Sequence, residues 1–189
     1  MRKPTKRLVM HSYPGMVAIV TARWNQKQNV MAAGWHSYIS IDPPIYGVAV
    51  AKERFTHHLI QHSGSFGVHF FPADKSEWIQ KVGVLSGAAV DKFAQLGIEY
   101  EQGLTADLPI LTDAYVAYEC RVLDVQTYGD HDWFVGTITQ FYRDDDLFLE
   151  NNLPDFHQLQ IPLYLGRSTY AVLDADVEFK HHFVRRGNG

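Results

Sequence analysis

Residues 29–44 constrain this chain more than any other stretch. They read Asn-Val-Met-Ala-Ala-Gly-Trp-His-Ser-Tyr-Ile-Ser-Ile-Asp-Pro-Pro. The apolar, partly β-branched composition favours an extended strand. Its centre, Met31-Ala32-Ala33-Gly34, is small. Glycine lets a flat ligand or another backbone approach closely without steric cost. Trp35 lies beyond, and Pro43-Pro44 act as a rigid stop, because proline lacks the N–H that a sheet ladder needs.

Strand signals recur on both sides of this stretch. Residues 16–23 are apolar and followed by a polar turn, Trp24-Asn25-Gln26-Lys27-Gln28, so residues 29–35 return as the second arm of a hairpin. Further strands are predicted over 45–51, 65–70, 114–125, 133–142 and 169–173, with Tyr128-Gly129-Asp130 as a turn. Three short helices are predicted over 56–62, 75–82 and 90–96. Thr56 is the expected N-cap of the first and Gly97 the stop of the third. Strands outnumber helices and do not alternate with them, which points to a mainly β, antiparallel barrel with helical excursions. The 189 residues suit one domain spanning 1–189, with a core at about 15–173 and tails at about 1–12 and 176–189.

Composition excludes several classes. The net charge of −4 argues against a nucleic-acid binder. Basic residues at the ends (Arg2, Lys3, Lys6, Arg7; Lys180, Arg185, Arg186) read as solvated termini. The single cysteine, Cys120, allows no internal disulfide and no thiolate cluster. It reads as an inert core thiol. No apolar run is long enough to span a membrane, and residues 1–11 lack the apolar core of a signal peptide. A cytoplasmic protein is the expectation. The adjacent pairs His57-His58 and His181-His182 are not natural chelates when extended, because neighbours then point to opposite faces. No metal site is expected. Asp144-Asp145-Asp146 reads as a solvated hairpin turn, and the polar residues 144–160 as an excursion.

No G-x-G-x-x-G, P-loop, G-x-S-x-G or H-E-x-x-H motif occurs. The remaining candidates each carry two readings. Thr56 follows Lys52-Glu53-Arg54-Phe55 at a helix start, where free N–H groups suit a phosphate; it is either a plain cap or a ligand donor. Ser86-Gly87 with Lys92 is either an ordinary loop with a solvated lysine or a phosphate cradle. Trp35 is a core side chain or a ring cover. Asn29 is a hairpin-turn residue or a ligand contact. His131 satisfies a turn carbonyl or meets a ligand.

Together, several segments resemble the flavin reductase-like, FMN-binding split-barrel family, and within it the flavoredoxin type. They are Asn29-Val30-Met31 with Gly34-Trp35, Ser40-Ile41-Asp42-Pro43-Pro44, and Arg54-Phe55-Thr56. The others are Ser86-Gly87 with Asp91-Lys92-Phe93, and Gly129-Asp130-His131 followed by Phe134-Val135-Gly136. The resemblance runs from Gly15 to Leu173. It implies an antiparallel, Greek-key-like split barrel and a homodimer with one FMN, rather than FAD, per subunit near the interface. It also implies a flavin reductase activity in which NAD(P)H reduces the flavin, which then serves an acceptor. The alternative is an electron-transfer protein reduced by a redox protein partner. A non-flavin planar ligand is a third reading, which the Thr56 and Lys92 donors disfavour.

By position, the resemblance puts Asn29 and Trp35 on the flavin, and Met31, Ala32, Ala33 and Gly34 along its pyrimidine edge. Thr56 and Lys92 would hold the ribityl-phosphate arm. Ser40, Arg54, Ser86, Gly87 and Phe93 complete the binding set. His131 would be the catalytic residue beside the isoalloxazine or nicotinamide, and Tyr164 would pack at the ring. Trp78, Tyr115 and Phe156 are candidate interface aromatics.

Overall fold

A computed structural model describes residues 3, 4, 6 and 14–182. Arg2, Arg7, Arg185 and Arg186 of the basic ends lie outside them. The elements in order are β1 (Ala18–Trp24), β2 (Lys27–Ala33), β3 (His36–Ser40), β4 (Ile45–Ala51), α1 (Phe55–Ser63) and β5 (Ser65–Phe70). Then come α2 (Ser76–Val84), α3 (Lys92–Leu96), β6 (Tyr100–Gln102) and β7 (Pro109–Leu111). The long pair β8 (Val116–Tyr128) and β9 (His131–Arg143) follows, then β10 (Ile161–Gly166) and β11 (Thr169–Leu173).

Seven strands form one sheet in the order β2-β1-β5-β8-β9-β4-β3, with every pairing antiparallel. The mainly β expectation therefore holds. β6–β7 and β10–β11 are separate two-stranded ribbons. The β1–β2 hairpin turns on Asn25 and Gln26, both at positive φ, as a two-residue hairpin turn requires. Gly129 at φ 63 turns β8 into β9, where an L side chain would be strained.

The predicted strand at the head of residues 29–44 is in fact two strands. β2 ends at Ala33, the chain bends at Gly34 and Trp35, and β3 begins at His36. β2 and β3 lie at opposite ends of the strand order. The bend carries the chain across the seam between the sheet's two edges, and Ala49 N–H donates to the Trp35 carbonyl there (2.9 Å). Small residues at the bend permit this crossing. The continuous apolar pattern hid it.

Other boundaries also shift. α1 starts at Phe55 with Arg54 as its N-cap, without a side-chain bond, so Thr56 is not the cap. The third helix starts at Lys92 rather than 90, because the Asp91 carboxylate accepts from the N–H groups of Phe93 (2.9 Å) and Ala94 (3.2 Å). Gly97 ends it in the left-handed conformation. Asp144 caps a 3-10 turn over Asp145–Leu147 instead of sitting in a hairpin. Tyr115 is buried, Trp78 packs on Phe71 (4.8 Å), and Phe156 is packed against the core. The exposed large apolar residues are instead Tyr38, Ile39, Ile41, Leu123, Tyr128 and Phe141, among others.

Two apolar clusters hold the sheet. Ala18, Val20, Val48, Val50, Leu59, Ile60, Phe66, Val68, Cys120 and Phe134 fill the first. Ile19, Val30, Phe71, Ile79, Val82 and Phe93 form the second, under α2 and α3. β1 therefore feeds both layers with alternate side chains. Each fully buried side chain of this size stabilises the fold by about 1.5–3 kcal/mol. Cys120 is fully buried, and burial raises its thiol pKa, so it is inert as expected.

Candidate functional site

A cavity of about 340 Å³ sits over the seam, within the range of small-ligand sites. β2 contributes Asn29, Met31, Ala32 and Ala33, and β4 contributes Ala49 and Ala51. Gly34 and Trp35 form the crossing, His131 stands at the start of β9, and Arg54, Phe55 and Thr56 come from the head of α1. Ser86, Gly87 and Lys92 close the far end. A Cβ added at Gly34 would meet no atom within 4 Å. The wall there opens onto free space.

One end of the cavity carries two cations, Lys92 and Arg54, with the Glu53 carboxylate 3.8 Å from the Arg54 Nε. Lys92 is only 3% exposed. Its Nζ donates to the carbonyls of Val30 and Val82, each at 2.8 Å. Val30 lies on β2, an edge strand, so its outward carbonyl needs a donor from elsewhere. An ammonium carries three N–H groups, so one remains beyond those two bonds. No carboxylate pairs with Lys92 among the described residues. Burial, and then the Arg54 cation, lower its pKa to about 8.

Asn29 lies in β2 opposite Ala22, not in the turn, and is buried. Its Nδ2 donates to Thr56 Oγ1 at 2.8 Å. Thr56 is fully buried at the second position of α1. Its oxygen accepts from Asn29, which leaves its own hydroxyl hydrogen free. A helix start also leaves N–H groups unpaired. Gly87 presses on Asn29: a Cβ there would come within 2.2 Å of its Oδ1.

At the other end, the His131 and Trp35 rings lie 4.8 Å apart. His131 Nδ1 pairs with the Asp130 carboxylate at 2.7 Å. That hydrogen bond lowers the Asp130 pKa, so the carboxylate stays ionised. It also orients the ring and leaves Nε2 for a ligand. Trp35 is 43% exposed and lines the cavity, so it is not a core residue. Behind α1, His57 Nε2 meets Asp132 at 2.7 Å. Asp132 also accepts from Thr127 (2.6 Å) and pairs with Lys52 (3.5 Å). Thr127 and then His57 hold its pKa below the usual range. This network ties the helix head to β9.

Three expected binding residues do not line the cavity. Ser40 ends β3 opposite Ile45. Phe93 turns into the second core, against Val30 and Phe71. Tyr164 lies on β10, bonded through its backbone to Gly15 and packed on Tyr170 (5.1 Å). Their neighbours in sequence serve other layers of the fold. Ala49, Ala51, Phe55, Val82 and Leu85 line the slot without a sequence signal beyond small or apolar character. Among the described residues no group of three or more histidine, cysteine or acidic side chains is placed to hold a metal.

Residues 10–174 match the model of the flavin reductase like domain. This chain belongs to that family. Members superpose closely on it. An FMN-binding protein of Thermus thermophilus is 32% identical at a TM-score of 0.84, over 95% of this chain and 100% of the other. A flavoredoxin of Methanosarcina acetivorans is 26% identical at a TM-score of 0.83, over 99% and 97%. An uncharacterized protein of Escherichia coli (strain K12), YddH, is 30% identical over 169 residues, 87% of this chain and 88% of its own length. The family fold is a split barrel. None of the described helices is long and apolar enough to cross a membrane.

Proposed function

We propose that the slot binds one FMN per chain and that the protein is a flavin reductase: it takes electrons from NAD(P)H and passes them to an acceptor. The supporting observation is the buried Lys92 ammonium, with no carboxylate partner among the described residues, at the end of a slot lined by small residues. A buried cation of this kind is costly unless an anion compensates it, and a phosphate arm would do so. Arg54, the Thr56 hydroxyl and the first N–H groups of α1 add donors suited to the same group.

Bound FMN would supply the redox chemistry. The chain's residues position it and shape its surroundings. Ala32, Ala33 and Gly34 leave a flat wall for the ring. Trp35 covers one edge and excludes water. His131, oriented by Asp130, presents Nε2 to the ring or to a nicotinamide. Asn29 and Gly87 hold the Thr56 hydroxyl in place.

The exposed apolar surface supports a homodimer. Tyr38, Pro44, Ile138 and Phe141 line one shallow hollow on it, and exposed patches of this kind mark protein contacts. Light scattering of the purified chain at twice its mass would bear this out; a monomer at working concentration would sink it.

The test of the main reading is the visible spectrum of purified protein, then NADH and NADPH oxidation with FMN present. A colourless chain that takes up no added FMN overturns it. The likeness to a flavoredoxin favours a second reading, in which a protein donor reduces the flavin. Rapid turnover with either nicotinamide nucleotide rules that out.

A further inference from the structure

One histidine pair stands outside the slot. His58 and His62 are four apart on α1 and both exposed, so they share one face of the helix. Their ring centroids are 4.1 Å apart. Trp24, at the end of β1, lies against both rings, 5.3 Å from His58 and 4.6 Å from His62. The indole keeps the two imidazoles on one side of the helix. His62 Nδ1 bonds to the His58 carbonyl at 2.8 Å. A carbonyl only accepts, so Nδ1 carries the hydrogen and Nε2 keeps its lone pair. A metal-ligating histidine commonly donates its other N–H to a backbone carbonyl in this way. His62 also lies in the last helical turn before Gly64, where the helix dipole favours a cation.

The geometry points to a surface site for a divalent transition-metal ion chelated by His58 and His62. Imidazole nitrogens ligate such ions at about 2.0–2.1 Å, and rings whose centroids lie 4.1 Å apart are close enough for one nitrogen of each to reach a shared ion. No carboxylate pairs with either ring among the described residues, so the hard, oxygen-seeking Mg²⁺ and Ca²⁺ are excluded. Two neutral nitrogens favour Cu²⁺ over Ni²⁺ and Zn²⁺. Water fills the remaining positions. The adjacent pair His57-His58 cannot do this, because His57 turns inward and is committed to Asp132. The site is therefore separate from the slot, although both use α1.

The test is Cu²⁺ titration of the purified full-length chain by calorimetry and electron paramagnetic resonance. The expected result is one Cu²⁺ per chain, with nitrogen splitting from two imidazoles and quenching of indole emission. His58→Ala and His62→Ala should each weaken binding about tenfold or more. Trp24→Phe should keep the ion and lose most of the quenching. Replacing His181 and His182 with alanine should change nothing. FMN uptake equal to the parent's in every variant shows an intact fold. Unchanged Cu²⁺ affinity in the His58→Ala/His62→Ala double variant overturns the site, and so does loss of binding in the His181/His182 variant.

Discussion

The amide of Asn29 donates to the hydroxyl of Thr56 at 2.8 Å, joining an edge strand to the head of a helix inside the slot. The two residues are 27 positions apart and both buried. The bond occupies the Thr56 oxygen as an acceptor and leaves its single hydroxyl hydrogen to donate.

Thr56→Val removes that donor and leaves the Asn29 amide unpartnered in a buried site. A stranded buried donor costs about 1–3 kcal/mol. Thermal unfolding should show this loss, and FMN affinity should fall with it, whereas Thr56→Ser should retain both. A double-mutant cycle with Asn29→Ala should give a coupling of about 0.5–3 kcal/mol. Additive effects would mean that the bond does not link strand and helix.

Gly87→Ala should act through the same pair. The new methyl would sit 2.2 Å from Asn29 Oδ1 and 2.4 Å from its Cγ. Asn29 is buried and its side chain is held by the bond to Thr56, so overpacking should cost about 1–3 kcal/mol. FMN titration should show weaker binding. Adding Asn29→Ala should recover much of the melting temperature, because it removes the atoms that clash. No recovery would place the strain elsewhere.

Most large strands could be read from the sequence, because alternation and turn chemistry agree with the final pairing. The β1–β2 and β8–β9 hairpins are examples. The break at Gly34 was not readable, since an apolar run looks the same whether one strand or two crosses a seam. β6 and β7 have three residues each, too few for a period to show. β10 contains Pro162, which argues against a strand unless it sits in an isolated ribbon. In the slot, local rules misplaced Asn29 in a turn and Thr56 at a cap. For Lys92 the local pattern leaves a solvated lysine and a phosphate cradle both open, because nothing local reveals that the carbonyls of Val30 and Val82 claim its ammonium. His58 and His62 are brought together only by the helix, which puts residues four apart on one face, whereas the adjacent His57 and His58 point apart.

Lys92 makes FMN binding pH-dependent. Its pKa in the fold is about 8, below the ordinary lysine value of 10.5. As pH rises through 8 the ammonium is lost, so affinity for a phosphate should fall between about pH 7 and 9, a range in which phosphate itself no longer titrates. Fold stability without ligand should move the other way. Between pH 8 and 10.5 the unfolded chain binds the extra proton, so stability rises with pH there. Lys92→Met should weaken FMN binding at pH 7 by about 1.5–3 kcal/mol and flatten the pH profile. A parent-like profile in this variant would remove Lys92 from the phosphate end.

His69 should set part of the acid sensitivity. It is fully buried on β5; its Nδ1 bonds to the Ile19 carbonyl at 3.0 Å, and its Nε2 has no hydrogen-bond partner among the described residues. A proton on Nε2 would be buried without an acceptor, and burial lowers the pKa from 6.5 to about 4. Between these values the unfolded chain binds more protons than the fold. Stability is therefore complete above pH 6.5 and declines as pH falls toward 4, by up to about 3 kcal/mol. Burial also lowers the pKa of His36, which adds to the same slope. Urea midpoints at pH 7.5, 5.5 and 4.5 should trace the decline. His69→Gln should lower stability at neutral pH yet flatten the acid slope, since no group at that position then takes up a proton. An acid slope as steep as the parent's would assign the sensitivity to other groups.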